Sequence, residues 1–149
     1  MRVLTEAECH RWCRDHGLAL DERERPSLFR NAAAVEKFTI PSDSGARVAL
    51  VRAQLDRFKD CSSILVWLDA WGVFPSGERM HVFERFRLSY GVKDHLIDKR
   101  GHEFGPGEFE DLTSMVTLAV LFLWDCFVLT PSGKPALCFT HDEVGYSAQ

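Results

Sequence analysis

The sequence predicts a single domain over residues 1–149, of the α+β (or α/β) class, in which about four helices cover a small mixed sheet. Its length predicts one compact unit, because 149 residues would bury roughly 68–70% of the surface that the unfolded chain exposes. Its composition, 46% hydrophobic and 27% charged, excludes a disordered chain. The mixed sheet is predicted from a strand, helix, strand pattern over residues 35–68 and a hairpin pattern over residues 126–140.

The first helix is predicted over residues 5–16. Thr5 and Glu8 form the T-x-x-E pattern of a capping box, and Gly17 suits the position that follows a helix. One stripe of this helix should face the core, and it consists of Cys9, Trp12, Cys13 and His16. Residues 21–26 then alternate in charge and are expected to form a solvated loop.

The cysteines have two interpretations. Cys9, Cys13 and His16 share one helical face and would present three soft ligands to a metal ion. No fourth ligand is assigned, Trp12 shares the stripe, and buried free cysteine packs as a small hydrophobe, so we predict core packing and no metal. The five cysteines include no C-x-x-C pair, which favours reduced thiols in a cytoplasmic protein.

A βαβ unit is predicted next. A strand over Val35–Ile40 leads to a helix over about residues 45–59, which Ser42 or Asp43 would cap. The core stripe of this helix should be Val48, Val51, Leu55 and Phe58. The run Ser63–Leu68 is apolar on both faces, as in a strand covered on both sides. The two strands should therefore be a parallel pair joined by a right-handed crossover.

Two more helices are predicted in the second half of the chain. The first, over about residues 78–90, has an inner stripe of Val82, Phe83, Phe86 and Tyr90. A polar segment then runs to Gly107 and precedes a helix that starts at about Glu108. The acidic first turn of this helix suits the helix dipole, and its second half is apolar on all sides, which predicts a central position.

The C-terminal hairpin consists of predicted strands over residues 126–130 and 136–140, on either side of a Pro-Ser-Gly-Lys-Pro turn. In the predicted register Cys126 is opposite Phe139, and Cys138 is opposite Phe127. Because side chains alternate between the faces of a sheet, the two thiols should point to opposite faces and should not form a disulfide.

Charge and hydropathy exclude several kinds of partner. The net charge of −4 opposes binding to nucleic acid or to anionic lipid. The longest apolar run, Met115–Trp124, is shorter than the roughly 20 residues that a membrane helix needs, and the first residues lack a stretch that resembles a signal peptide. We expect a cytoplasmic protein without nucleic-acid or membrane partners.

The candidate catalytic residues are His141, Asp142 and Glu143, which follow the last predicted strand, where many α/β proteins carry functional groups. His102 in the polar segment and Asp69 at the end of a predicted strand would join them if their loops converge. A histidine beside carboxylates would then act as a general base or bind a divalent metal. The alternative is that these residues belong to solvated loops.

The candidate partner-binding residues are Trp71, Val73 and Phe74, in a loop that contains Gly and Pro. Burying three large apolar side chains in such a loop is difficult, and aromatic residues are enriched in interface cores; the alternative is that they cover the domain's own core. The sequence favours a small non-enzymatic module without a cofactor that binds another protein, such as an adaptor, an inhibitor or a toxin-neutralising (immunity-type) subunit. The alternative is a small hydrolase or metal-dependent enzyme.

Overall fold

The structure is a computed structural model that describes residues 1–30, 35–70 and 80–149. In these residues one sheet of seven strands is covered by helices on both faces, which confirms the α+β class. The strands are β1 (Arg2–Leu4), β2 (Val35–Thr39), β3 (Ile64–Ala70), β4 (Gly101–Phe104), β5 (Asp125–Leu129), β6 (Ala136–Phe139) and β7 (Val144–Ala148). The α-helices are α1 (Glu6–Asp15), α2 (Ser44–Leu55), α3 (Met80–Leu88) and α4 (Phe109–Leu121).

The strand order is β1-β4-β3-β5-β6-β7-β2, and every neighbouring pair is antiparallel. The predicted mixed sheet with a parallel pair is therefore wrong. Strands β2 and β3 do point in the same direction, but β5, β6 and β7 lie between them. A strand, helix, strand pattern indicates that the chain crosses over the sheet, but it does not determine how many strands are later inserted into the gap.

Helix α1 begins as predicted. The side-chain oxygen of Thr5 accepts from the backbone N–H of Glu8 (3.2 Å), and the Glu8 carboxylate accepts from the backbone N–H of Thr5 (2.7 Å). Cys9, Trp12 and Cys13 are buried, which confirms three members of the predicted stripe. His16 is exposed, because the helix ends at Asp15 and the imidazole Nδ1 turns back to the carbonyl of Trp12 (2.8 Å).

Helix α2 is capped by Asp43, whose carboxylate accepts from the backbone N–H of Ala46 (2.8 Å). Three residues of the predicted stripe are fully buried, namely Val51, Leu55 and Phe58. The fourth, Val48, is 44% exposed. Arg47 is buried instead, because its guanidinium binds the carbonyl of Pro41 (2.6 Å) and the carboxylate of Glu143 (2.6 Å).

Two apolar cores lie on opposite faces of the sheet. Val66 and Leu68 of β3 contribute to the larger core, beneath α2, α3 and α4, whereas Leu65 and Trp67 contribute to a smaller core beneath α1. This alternation follows from the pleat of a strand and confirms that β3 is covered on both sides. Helix α4 contacts α2, α3, β3 and β5, which is the central position that its apolar surface predicts.

The C-terminal hairpin has the predicted register. Cys126 pairs with Phe139, and Phe127 pairs with Cys138. The two cysteines therefore contribute to different cores, and all five cysteines are free. None of the helices in the described ranges combines the length and the hydropathy required to cross a bilayer.

Candidate functional site

A group of charged side chains lies at the end of the sheet where β3 ends, β5 begins and β6 ends. Ala70, the last residue of β3, pairs with the first residue of β5, and His141 follows β6 by two residues. We call this group the sheet-end cluster, and its members are Arg25, Asp69, Asp125, His141 and Asp142.

Two contacts with Asp125 fix His141. The backbone N–H of His141 donates to Asp125 Oδ1 (2.6 Å), and the imidazole Nδ1 lies 2.8 Å from the same oxygen. The hydrogen bond to Asp125 raises the pKa of His141, and the nearby carboxylate of Asp142, 3.5 Å from Nε2, adds to this effect. Since Nδ1 faces Asp125, Nε2 is the nitrogen that would exchange a proton with a bound molecule.

Asp69 is the most enclosed carboxylate of the sheet-end cluster, with a side chain that is 9% exposed. Burial raises the pKa of Asp69, the carboxylate of Asp125 raises it further, and the guanidinium of Arg25 opposes the shift. Arg25 Nη2 lies 2.7 Å from Asp69 Oδ2. This ion pair ties residues 21–26 to the sheet, so the predicted solvated loop is partly a packed segment.

Two of the predicted residues do not join the sheet-end cluster. The carboxylate of Glu143 binds Arg47 of α2 instead. His102 belongs to β4, where it pairs with Val66, and it is fully buried beneath the helices of the larger core. Asp69 contacts Arg25 on the α1 side, so the sheet separates Asp69 from the His102 imidazole.

His141, Asp142 and Glu143 also do not follow the last strand. They form the turn between β6 and β7, because residues 144–148 make a strand that the sequence analysis missed. Glu143 has a φ of 58° in this turn, a left-handed conformation that costs free energy for any residue with a Cβ. Its ion pair with Arg47 helps to hold that conformation.

Trp71, Val73 and Phe74 lie outside the described residues, so their predicted role in partner binding stays a prediction. The chain enters residues 71–79 directly from Ala70 at the sheet-end cluster.

The alternative interpretation of Cys9, Cys13 and His16 as metal ligands has no geometric support. Both thiols pack in the smaller core, and burial raises the pKa of each, that of Cys13 to about 11. His16 faces outward. Across residues 1–30, 35–70 and 80–149, the structure contains no group of three or more His, Cys, Asp or Glu side chains arranged to hold a metal ion.

Two members of the sheet-end cluster were missed by the sequence analysis. Asp125 lies between an apolar helix and a buried strand, which is an unusual place for a carboxylate. This position was the one sequence signal that Asp125 belongs to a site. The sequence gives no such signal for Arg25, because its partner Asp69 lies 44 residues away along the chain.

Comparisons of this chain with protein-family models, with curated proteins and with solved structures found no match. Functional inference therefore rests on the residues themselves.

Proposed function

We propose that the protein is a non-enzymatic cytoplasmic module that binds another protein, of the adaptor, inhibitor or toxin-neutralising kind. The supporting observation is that the sheet-end cluster consists of ion pairs around Ala70, the last described residue before the segment 71–79. Arg25 and Asp69 hold the segment before β2, and Asp125 holds the turn after β6. Recognition loops are commonly carried by a rigid scaffold of this kind.

The charge around this end of the sheet suggests the chemistry of the partner. The carboxylates of Asp69, Asp125 and Asp142 lie together with that of Glu6, which is 3.5 Å from Arg100. Carboxylates outnumber the guanidinium groups of Arg25 and Arg100 here. Complementary charge at the rim of an interface accelerates association and selects partners, so we expect a partner with a basic rim around an apolar centre.

The test uses the tagged full-length chain in its native cells, with quantitative mass spectrometry of the proteins that it retains. The variant Trp71→Ala/Phe74→Ala is compared with Leu88→Ala/Ile97→Ala, a control at two apolar side chains that are also exposed. A protein retained by wild type and control but lost from the first variant is then purified, and its affinity is measured by calorimetry. We expect a loss of roughly 30-fold or more, as for interface aromatic residues.

Circular dichroism and thermal melting of both variants are part of this test. Equal affinity of the two variants for the purified partner would contradict the proposal. Unfolding of Trp71→Ala/Phe74→Ala would also contradict it, since that result assigns these side chains to the core of the domain. A further variant, Asp142→Lys, should slow association with a basic partner without loss of folding, because this side chain is 79% exposed.

A second candidate function is general acid–base catalysis, as in a small hydrolase. The observation that favours it is the 2.8 Å contact that orients the His141 imidazole on Asp125, beside a carboxyl group, Asp69, with a raised pKa. Hydrolysis of chromogenic esters and phosphodiesters, with and without added divalent metal, would be measured for wild type, His141→Gln and the control His95→Gln, at an exposed histidine outside the sheet-end cluster. Catalysis by the imidazole requires a loss of roughly 100-fold or more in His141→Gln alone.

A further inference from the structure

Arg87, in the last turn of α3, is fully buried on the face of the sheet that carries the larger core. Arginine side chains normally extend their charged end into water. None of the three guanidinium nitrogens of Arg87 has a hydrogen-bond partner in the described part of the chain. The side chain therefore presents five N–H donors to its surroundings without an acceptor among the described residues.

A buried guanidinium group does not relieve its unfavourable burial by losing its proton. Burial lowers the pKa of Arg87, but arginine stays protonated in proteins. A buried charge without a bonded partner is strongly unfavourable. An anion at this position would supply the hydrogen-bond acceptors and the negative charge that the described residues do not place against Arg87.

The two carboxylates whose charges act on Arg87 have other partners. Asp94 and Glu84 attract the guanidinium through space, but Asp94 lies 3.4 Å from the Lys99 ammonium, and Glu84 lies 3.3 Å from the imidazole of His95. Both pairs are partly exposed at the surface of this region. Neither carboxylate is within hydrogen-bond distance of Arg87.

On the side of the sheet, His102 is close enough to Arg87 for their charges to interact. Burial, reinforced by the charge of Arg87, lowers the pKa of this histidine to about 3. The imidazole is therefore neutral at physiological pH and supplies one N–H donor without adding charge. Its ring nitrogens form no hydrogen bond of ordinary geometry with the described residues, but the nearby backbone of Arg100 and Val66 partly opposes the downward shift of the pKa.

We propose that Arg87 anchors an internal site for a small oxyanion, namely a carboxylate or phosphate group. A planar guanidinium binds two oxygens of such a group in parallel. Because Arg87 is fully enclosed, entry requires displacement of α3 or of the chain that follows it. This site lies on the opposite face of the sheet from the Arg25–Asp69 ion pair and does not depend on the proposed partner binding.

The test compares thermal melting in sodium phosphate, sodium acetate and sodium chloride at equal ionic strength and neutral pH. Wild type, Arg87→Met and the control Arg85→Met, an exposed arginine on the same helix, are measured together. We expect phosphate or acetate to raise the melting temperature of wild type and Arg85→Met by several degrees over chloride, and to leave Arg87→Met unchanged. A phosphate effect alone identifies a phosphate site, and an acetate effect alone a carboxylate site.

Equal stabilisation by all three salts, or the same anion effect in Arg87→Met, would overturn the proposal. We expect Arg87→Met to fold, because an apolar side chain of similar length replaces an uncompensated charge. If it does not fold, wild type containing ¹⁵N-arginine is titrated with the same anions and followed by NMR. Binding shifts one slowly exchanging Nε–H resonance, and the absence of such a shift contradicts the site.

Discussion

Burial of the His102 imidazole makes folding dependent on pH. The folded protein holds this group neutral down to about pH 3, whereas the unfolded chain takes up a proton near pH 6.5. Between these values the unfolded state binds more protons, so stability falls as the pH falls, by up to about 1.4 kcal/mol per pH unit. Replacement by Leu should remove this dependence.

The measurement is urea unfolding of wild type and His102→Leu at about pH 6.5 and about pH 4.5. The difference in free energy of unfolding between the two pH values should be smaller in the variant by about 2 kcal/mol. An unchanged difference would show that the imidazole is accessible to protons in the folded state.

His141 should behave in the opposite way, because its pKa is raised in the folded protein. Its contact with Asp125 contributes fully below the unfolded pKa of about 6.5, and the contribution is lost as the pH rises through the folded pKa. The free energy difference between wild type and His141→Gln should therefore decrease from acidic to alkaline pH. It should stay below about 1 kcal/mol, since the pair is partly exposed, and a difference that increases with pH would contradict the assignment of its partner.

The close packing of α1 on the sheet requires a glycine at one position of β4. A Cβ at Gly101 in β4 would overlap the Cys9 sulfur and lie 2.9 Å from the Cβ of Leu4. Gly101→Ala should therefore displace α1 or β1 and destabilise the protein by about 1–3 kcal/mol. Gly105→Ala is the matched control, because its Cβ would meet only the Glu108 side chain at 3.9 Å.

Chemical denaturation of both glycine variants provides the measurement. Gly105→Ala should unfold at nearly the wild-type denaturant concentration, and Gly101→Ala at a lower one. Equal midpoints would mean that α1 does not pack closely on β4.

Local signals determined how well each element could be predicted. Helix α1 has a complete capping box within its own first turn, and the hairpin of β5 and β6 joins two apolar runs through a short turn. The cap of the helix and the register of the hairpin were therefore predicted correctly. Strand β4 is different. Its four residues, Gly-His-Glu-Phe, have the sequence pattern of a polar loop. They are buried only because β1 and β3, which are distant in sequence, pair with them.

Because helices cover both faces of the sheet, we expect the protection of backbone amides from hydrogen exchange to decrease from the central strands to the edge strands. Strands β3 and β5 are adjacent, central and buried, whereas β1 and β2 form the edges. Backbone hydrogens of central strands exchange only in larger openings than those of edges. Hydrogen exchange followed by mass spectrometry should show β3 and β5 as the slowest strands and β2 as faster, and equal protection of β2 and β3 would contradict the strand order.

The overall topology and the sheet-end cluster could not be predicted for a common physical reason. The apolar pattern of β3 shows that it is covered on both faces, but not which strands lie beside it. Asp69, Asp125 and His141 meet only because β3, β5 and β6 are consecutive neighbours in the sheet. Asp69 and His141 were chosen from the sequence as polar residues after strands. Asp125, which binds His141 and whose charge acts on Asp69, could be found only from the strand order.

The position of β2 also affects the order in which the chain can assemble during synthesis. Among the strands of the described residues it pairs with β7 alone, and its pairing connects Val35 with Ala148. A ribosome therefore releases β2 long before it releases β7, the strand that satisfies the backbone groups of β2. Until then those groups are open to any other extended chain, so a nascent form of this protein would be expected to need a chaperone at that strand more than at any other.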